Sequence, residues 1–166
     1  GAFFKINHVW EIFTKNAEAI LQDFIVLTAG RKTKSISRSN KFLNPDWIFI
    51  EEGATVECSV LNASEGPIYI AADAEVMEGS LIRGPFALCE HSTLKMGAKV
   101  YGATTIGPNC KVGGEISNSV ILGYSNKAHD GFLGNSVIGE WCNLGADTNN
   151  SNLKNNYSKV QLYNYP

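Results

Sequence analysis

The sequence predicts an all-β solenoid, a parallel β-helix of hexapeptide repeats with an amphipathic helix at its N-terminal end. Two observations carry that expectation. Ile70, Val76, Ile82, Leu88, Leu94, Val100, Ile106 and Val112 recur at a spacing of six without a gap, a period that fits neither a helix nor a simple hairpin and belongs to β-solenoids. Four residues after each of the first seven stand Ala74, Ser80, Phe86, Ser92, Ala98, Thr104 and Cys110, small in every case but one. The physical reading is a triangular prism with one hexapeptide per face and three per coil. Each aliphatic points inward and stacks on its counterparts about 4.8 Å above and below, while the small residue, also turned inward near a corner, leaves the chain room to bend.

The elements follow in order. In residues 1–30, Trp10, Phe13, Ala17, Ile20 and Phe24 step by three or four and form one apolar stripe, so a helix is expected with Asn7 as its N-cap and Gly30 beyond its far end. Residues 31–47 read as a linker. Their basic, Ser-rich part, Arg31 to Lys41, carries no interleaved aromatics and no glycine loop, which favours a solvated connection over a phosphate-binding strip. The solenoid is expected over 48–148, about five and a half coils and roughly 25 Å tall. Its phase slips twice, between Val56 and Ile70 and between Val112 and Val120, each slip reading as two extra residues at a corner. Val120, Phe132, Ile138 and Leu144 are expected to carry the inward series onward, and Pro85-Phe86-Ala87 fits a corner. Residues 149–166 read as a loop or arm ending in a strand-like Val160-Gln161-Leu162-Tyr163.

Composition narrows the function classes. A net charge of -2 gives no electrostatic reason to expect nucleic acid or an anionic membrane. No apolar run approaches the length of a membrane span and no export leader is evident, so the cytoplasm is the expected location. Cys58, Cys89, Cys110 and Cys142 lie far apart with no CxxC and read as reduced packing residues. The three histidines, His8, His91 and His129, do not form a zinc triad when one belongs to the helix, so no metal is expected. The chain opens on Gly1 rather than Met and is expected to be a piece of a longer protein.

One stretch carries chemistry. The run Asn118-Ser119-Val120-Ile121-Leu122-Gly123-Tyr124-Ser125-Asn126-Lys127-Ala128-His129 and, one residue on, GFLGNSVIGEWCNLGADTNNSN resembles the acetyltransferase half of the bifunctional enzymes that make UDP-N-acetylglucosamine, relatives of the sugar-phosphate nucleotidyltransferases. That family carries N-S-x-I-G-x-G-S-K-x-x-H-L-x-Y-x-G-D, then V-I-G-x-x-x-N-x-G-A-G-T and a short Asn-Tyr loop. The resemblance covers about 40 residues and keeps the Asn-to-His spacing of eleven. It implies a left-handed prism, a homotrimer with sites between subunits, and acetyl coenzyme A as acyl donor to a sugar phosphate or nucleotide sugar. His129 would be the general base that takes the proton of the attacking amine, a task suited to an imidazole because it ordinarily titrates near neutral pH. Lys127, Phe132, Asn143 and Asn152 would contact the substrate, with Phe132 standing where the family has Tyr, and Ala146 would lie beside the thioester. Leu153 replaces the Tyr of the Asn loop. Ser117 and Glu90 stand where the family has Lys and Arg, so a phosphate is not expected to be held at Glu90. Two classes of function follow. One is a coenzyme A-dependent acyltransferase domain; the other is a non-catalytic trimerisation or regulatory solenoid. Either would be attached to a sugar-1-phosphate nucleotidyltransferase domain preceding Gly1.

Overall fold

The computed structural model describes residues 3–150 and 153–161. The repeat closes into a three-sided parallel β-solenoid. Among the described residues the first sheet is built from Lys41–Leu43, Val60–Asn62, Leu81–Arg83, Lys99–Tyr101, Glu115–Ser117 and Phe132–Gly134. The second is built from Ile48–Ile50, Ile68–Ile70, Phe86–Leu88, Thr104–Ile106, Val120–Ile121 and Val137–Ile138. The third holds Thr55–Val56, Glu75–Val76, Thr93–Leu94, Lys111–Val112 and Asn126–Lys127. Each strand pairs in parallel with the equivalent strand one coil away, so the backbone groups of a segment too short to be stable alone are satisfied from above and below.

Register sorts the interior into three columns. The first sheet stacks Phe42, Leu61, Ile82, Val100, Ile116 and Leu133. The second stacks Ile50, Ile70, Leu88, Ile106, Ile121 and Ile138. The third stacks Val56, Val76, Leu94, Val112 and then Lys127. All eight members of the unbroken spacing-of-six series are buried, none more than 2% exposed, and the seven partner residues near the corners are buried with them. The cysteines are free, and Cys110 fills one of those inward positions with 0% exposure.

Beyond Val112 the structure corrects the expected phase. The coil tightens instead of lengthening: Val100 faces Ile116, Ile106 faces Ile121 and Val112 faces Lys127, intervals two or three residues shorter than the regular 18. Ile116 and Ile121 therefore replace Val120 in the inward series. Phe132 moves to the outer side of its strand because Leu133 takes the column, and successive side chains of a strand point to opposite faces. Leu144 follows Lys127 on the third face, half-buried, after an isolated parallel bridge between Asn126 and Asn143.

Two helices precede the sheets, α1 (Glu11–Thr14) and α2 (Asn16–Thr28), where one was expected. Asn7 is not the N-cap. Its backbone N–H donates to Glu11 Oε2 at 2.6 Å, which places the carboxylate where it offsets the unpaired donors of the first turn. The solenoid covers part of the apolar stripe: α2 lies against Thr104–Ile106 with Ile20 buried, while half-buried Phe24 stacks on Trp47 at 6.1 Å. Asn16, also buried, donates from Nδ2 to the Ala103 carbonyl at 2.8 Å and accepts from Thr105 Oγ1 at 2.9 Å. Ala17, in contrast, is exposed.

The basic stretch 31–41 runs along the prism and closes its N-terminal end. Arg31 pairs with Glu51 at 2.6 Å and lies over the Phe49 ring; Tyr69 also donates its hydroxyl to Glu51. Lys34 Nζ reaches the Ala54 carbonyl at 2.9 Å. Buried Asn40 donates to the Val56 carbonyl at 2.7 Å and accepts from the Ser59 N–H at 2.9 Å, and Ile36 packs on the core. Regular pairing begins at Lys41, inside the segment the sequence reads as linker. At the other end Val160 and Gln161 are not in a strand; Leu162 and Tyr163 lie outside the described residues. Among the described residues no helix is long and apolar enough to cross a membrane.

Candidate functional site

The turn between the third and second sheets repeats through the prism as a ladder of left-handed residues. Asp73, His91, Asn109, Tyr124 and Trp141 occupy it with φ between 56° and 59°. The N–H groups of His91, Asn109, Tyr124 and Trp141 donate to the carbonyls of Ala72, Glu90, Pro108 and Gly123 in the preceding coil. Asp and Asn tolerate this conformation readily, bulky aromatics do not. The last two rungs are nevertheless Tyr124 and Trp141, stacked at 4.6 Å and 5°.

The residues proposed for chemistry gather at a different edge, where the third sheet turns into the first in the last two coils. His129 sits on that corner between Asn126–Lys127 and Phe132–Gly134, exposed to solvent. The next coil begins 17 residues on, at the Asn126–Asn143 bridge, and the Asp147 N–H donates to the Asp130 carbonyl at 3.1 Å across the two corners. Ala146 therefore lies on the same corner as His129, one coil on. Asn143 lies just before that corner on the third face, exposed, and Phe132 just after His129 on the first face, half-buried. One edge thus collects His129, Asn143, Ala146 and Phe132. Asn152 lies outside the described residues. Glu90 is exposed, but stands on the other corner, beside His91 in the ladder, more than one coil towards the N-terminus.

Lys127 is placed differently from its reading as a substrate contact. It occupies the inward slot opposite Val112 and is 2% exposed, so its ammonium faces the protein. Nζ donates to the carbonyls of Gly113 at 3.1 Å and His129 at 2.8 Å. The signal for this was in the sequence: Lys127 continues the third-face series of Val56, Val76, Leu94 and Val112, but only once the shortened coil is counted.

The arm after Thr148 closes the end of the first sheet with side chains in place of another strand. Asn149 Oδ1 accepts from the Phe132 N–H at 2.7 Å. Asn150 Oδ1 accepts from the Gly134 N–H at 2.9 Å, its Nδ2 donates to the Gly134 carbonyl at 2.8 Å, and its own N–H donates to the Phe132 carbonyl at 3.0 Å. Both the N–H and the carbonyl of Phe132 are thus bonded to the arm, which fixes its backbone next to the His129 corner.

No protein-family model matches the chain. It is similar to the bifunctional protein GlmU of Rippkaea orientalis, 25% identical over 180 aligned positions that take in 86% of this chain and 39% of the relative. The GlmU protein of Synechococcus elongatus is 31% identical over 105 positions, 62% of this chain and 18% of the relative. That of a Picosynechococcus species is 28% identical over 103 positions, 60% of this chain and 20% of the relative. The chain spans less than half the length of these curated relatives. Together with the three-sheet parallel solenoid, the similarity fits the hexapeptide-repeat domain of such a protein.

Proposed function

We propose that this chain is the acyl-transfer module of a longer sugar-nucleotide enzyme, moving an acetyl group from coenzyme A to the amine of an amino sugar phosphate or nucleotide sugar. The single observation that supports it most is the gathering of His129, Asn143, Ala146 and Phe132 at one edge of the last two coils. Acetyl coenzyme A would supply the activated thioester, its carbon–sulfur bond breaking as the amine nitrogen bonds to the acetyl carbon, with coenzyme A leaving as the thiolate. The His129 imidazole would accept the proton the amine loses. Asn143 offers an amide to a sugar hydroxyl. Ala146, small and exposed on the same corner one coil on, would lie beside the thioester. The assembly in this reading is a homotrimer, for which the outer face of the first sheet offers Leu43, Leu81 and Tyr101, each 46–51% exposed, and a sugar-1-phosphate nucleotidyltransferase domain precedes the segment.

The test is thiol release from acetyl coenzyme A with a panel of amino sugars and their phosphates, comparing wild type with His129→Ala. Turnover that falls by at least about a hundredfold in the variant is expected for loss of a general base. Equal turnover in the variant removes His129 from the chemistry, and no turnover with any acceptor in wild type removes the acyl-transfer reading.

A further inference from the structure

The third inward column admits an aliphatic side chain in four consecutive coils, Val56, Val76, Leu94 and Val112, and then a lysine. An ammonium withdrawn from water is costly unless paired or hydrogen-bonded, and a column needing only to be filled would take another valine. The lysine's own contacts show what it does there. Nζ spans two coils, donating to the Gly113 carbonyl below at 3.1 Å and to the His129 carbonyl at 2.8 Å in its own corner. Its socket is kept open by glycine: a Cβ on Gly114, which has φ +79°, would stand 3.0 Å from Nζ and 2.7 Å from the Gly131 carbonyl. Burial pushes the ammonium pKa down from the usual lysine value, and the Asp130 carboxylate draws it back up. Asp130 is the residue that follows His129, so the carbonyl and the nearby charge that favour the ammonium both come from this turn.

We infer that Lys127 is a positioning residue for the His129 corner, an internal strut that fixes the backbone from which the imidazole projects without itself meeting a ligand. The inference rests on the acyl-transfer reading for its catalytic consequence, whereas its structural part stands apart from it. His129 is exposed on its corner, and the strut supplies a restraint from the interior. It also explains why the sheet carries a charged side chain at the last full rung of its third column and nowhere earlier.

The test uses Lys127→Met, which keeps the length and suits an aliphatic column, and Lys127→Gln as a second variant that retains a donor of shorter reach. Hydrogen exchange is read at the amides of Glu115 and Asp147, which donate to the Gly131 and Asp130 carbonyls, each at 3.1 Å. The expected result for Lys127→Met is a melting temperature within about 3 °C of wild type or above it, exchange at both amides at least about tenfold faster, and kcat lowered at least about tenfold with KM within about twofold. Lys127→Gln should fall between the two. Unchanged exchange in Lys127→Met overturns the inference. So does unfolding of both variants, since that makes Lys127 a residue of the fold as a whole. Wild type without turnover overturns the acyl-transfer reading alone, because the exchange measurement needs no substrate and decides the strut by itself.

Discussion

Replacing Leu94 by alanine tests the stacked interior where the solenoid is most regular. Leu94 is fully buried, with Val76 beneath it and Val112 above it in register. The change removes three carbons, worth about 2.4 kcal/mol at about 0.8 kcal/mol per buried methylene. The neighbouring coils cannot sink into the gap, because the backbone of Thr93–Leu94 is tied on both sides: Thr93 N–H to the Cys110 carbonyl at 2.8 Å and Glu75 N–H to the Ser92 carbonyl at 2.8 Å. A cavity term therefore adds to the transfer term, and the expected loss is about 3–4 kcal/mol, within the range seen for buried leucines. Urea unfolding followed by far-ultraviolet circular dichroism measures it. Met96→Ala, at a residue 65% exposed on a corner of the prism, is the control and should cost less than about 0.5 kcal/mol. A loss below about 1 kcal/mol for Leu94→Ala, or equal losses for the two variants, would refute the three-column interior.

Asn16→Ala removes both bonds that fasten α2 to the Ala103–Thr105 segment and should cost about 1–3 kcal/mol, with faster tryptic cleavage at Lys15 than in wild type; unchanged cleavage would show that α2 is held by its apolar contacts alone. Burial, with the Glu90 carboxylate and the Cys110 thiol adding to it, pushes the Cys89 thiol up to about 11. At pH 8 its thiolate fraction is then about one in a thousand, so iodoacetamide should label exposed Cys58 well before Cys89, as peptide mass mapping will show. The same shift makes stability depend on pH: the folded state holds the proton more tightly than the unfolded chain, so the contribution is complete below pH 9, fades as pH rises through about 11, and amounts to roughly 2–3 kcal/mol. Cys89→Ala should flatten that alkaline loss. For assembly, light scattering at micromolar concentration should give three times the chain mass, and a monomer would count against the trimer.

Fold and site were legible to different depths. The solenoid could be read because stacking makes the same demand at every coil, and eight aliphatics at a fixed interval answer it. Its continuation beyond Val112 could not be read by counting: once the coils shorten, the period is no longer six, and Phe132, a hydrophobe at the extrapolated position, hides Leu133 beside it. The helix was visible as a stripe, but the anchoring by Asn16 depends on a carbonyl and a hydroxyl nearly ninety residues away in the chain, which no local pattern reveals. Within the motif, the His129, Asn143 and Ala146 positions kept their spacing, and the structure places them on one edge. Lys127 was misplaced for a physical reason: a charged residue two positions before His129 in the run that resembles the family reads as a ligand contact, and only register shows that its slot belongs to the core.

The central claim, that the edge carrying His129 transfers an acyl group, is tested most directly by following the fate of the acyl carbon. Acetyl coenzyme A labelled at the carbonyl carbon is mixed with the protein and glucosamine 1-phosphate, glucosamine or a nucleotide-linked glucosamine, and the label is followed by carbon magnetic resonance. Thioester signal should convert to amide signal with at least one acceptor in the wild-type protein and not in His129→Ala. Thioester that survives unchanged with every acceptor, or amide that forms equally fast in the variant, would contradict it.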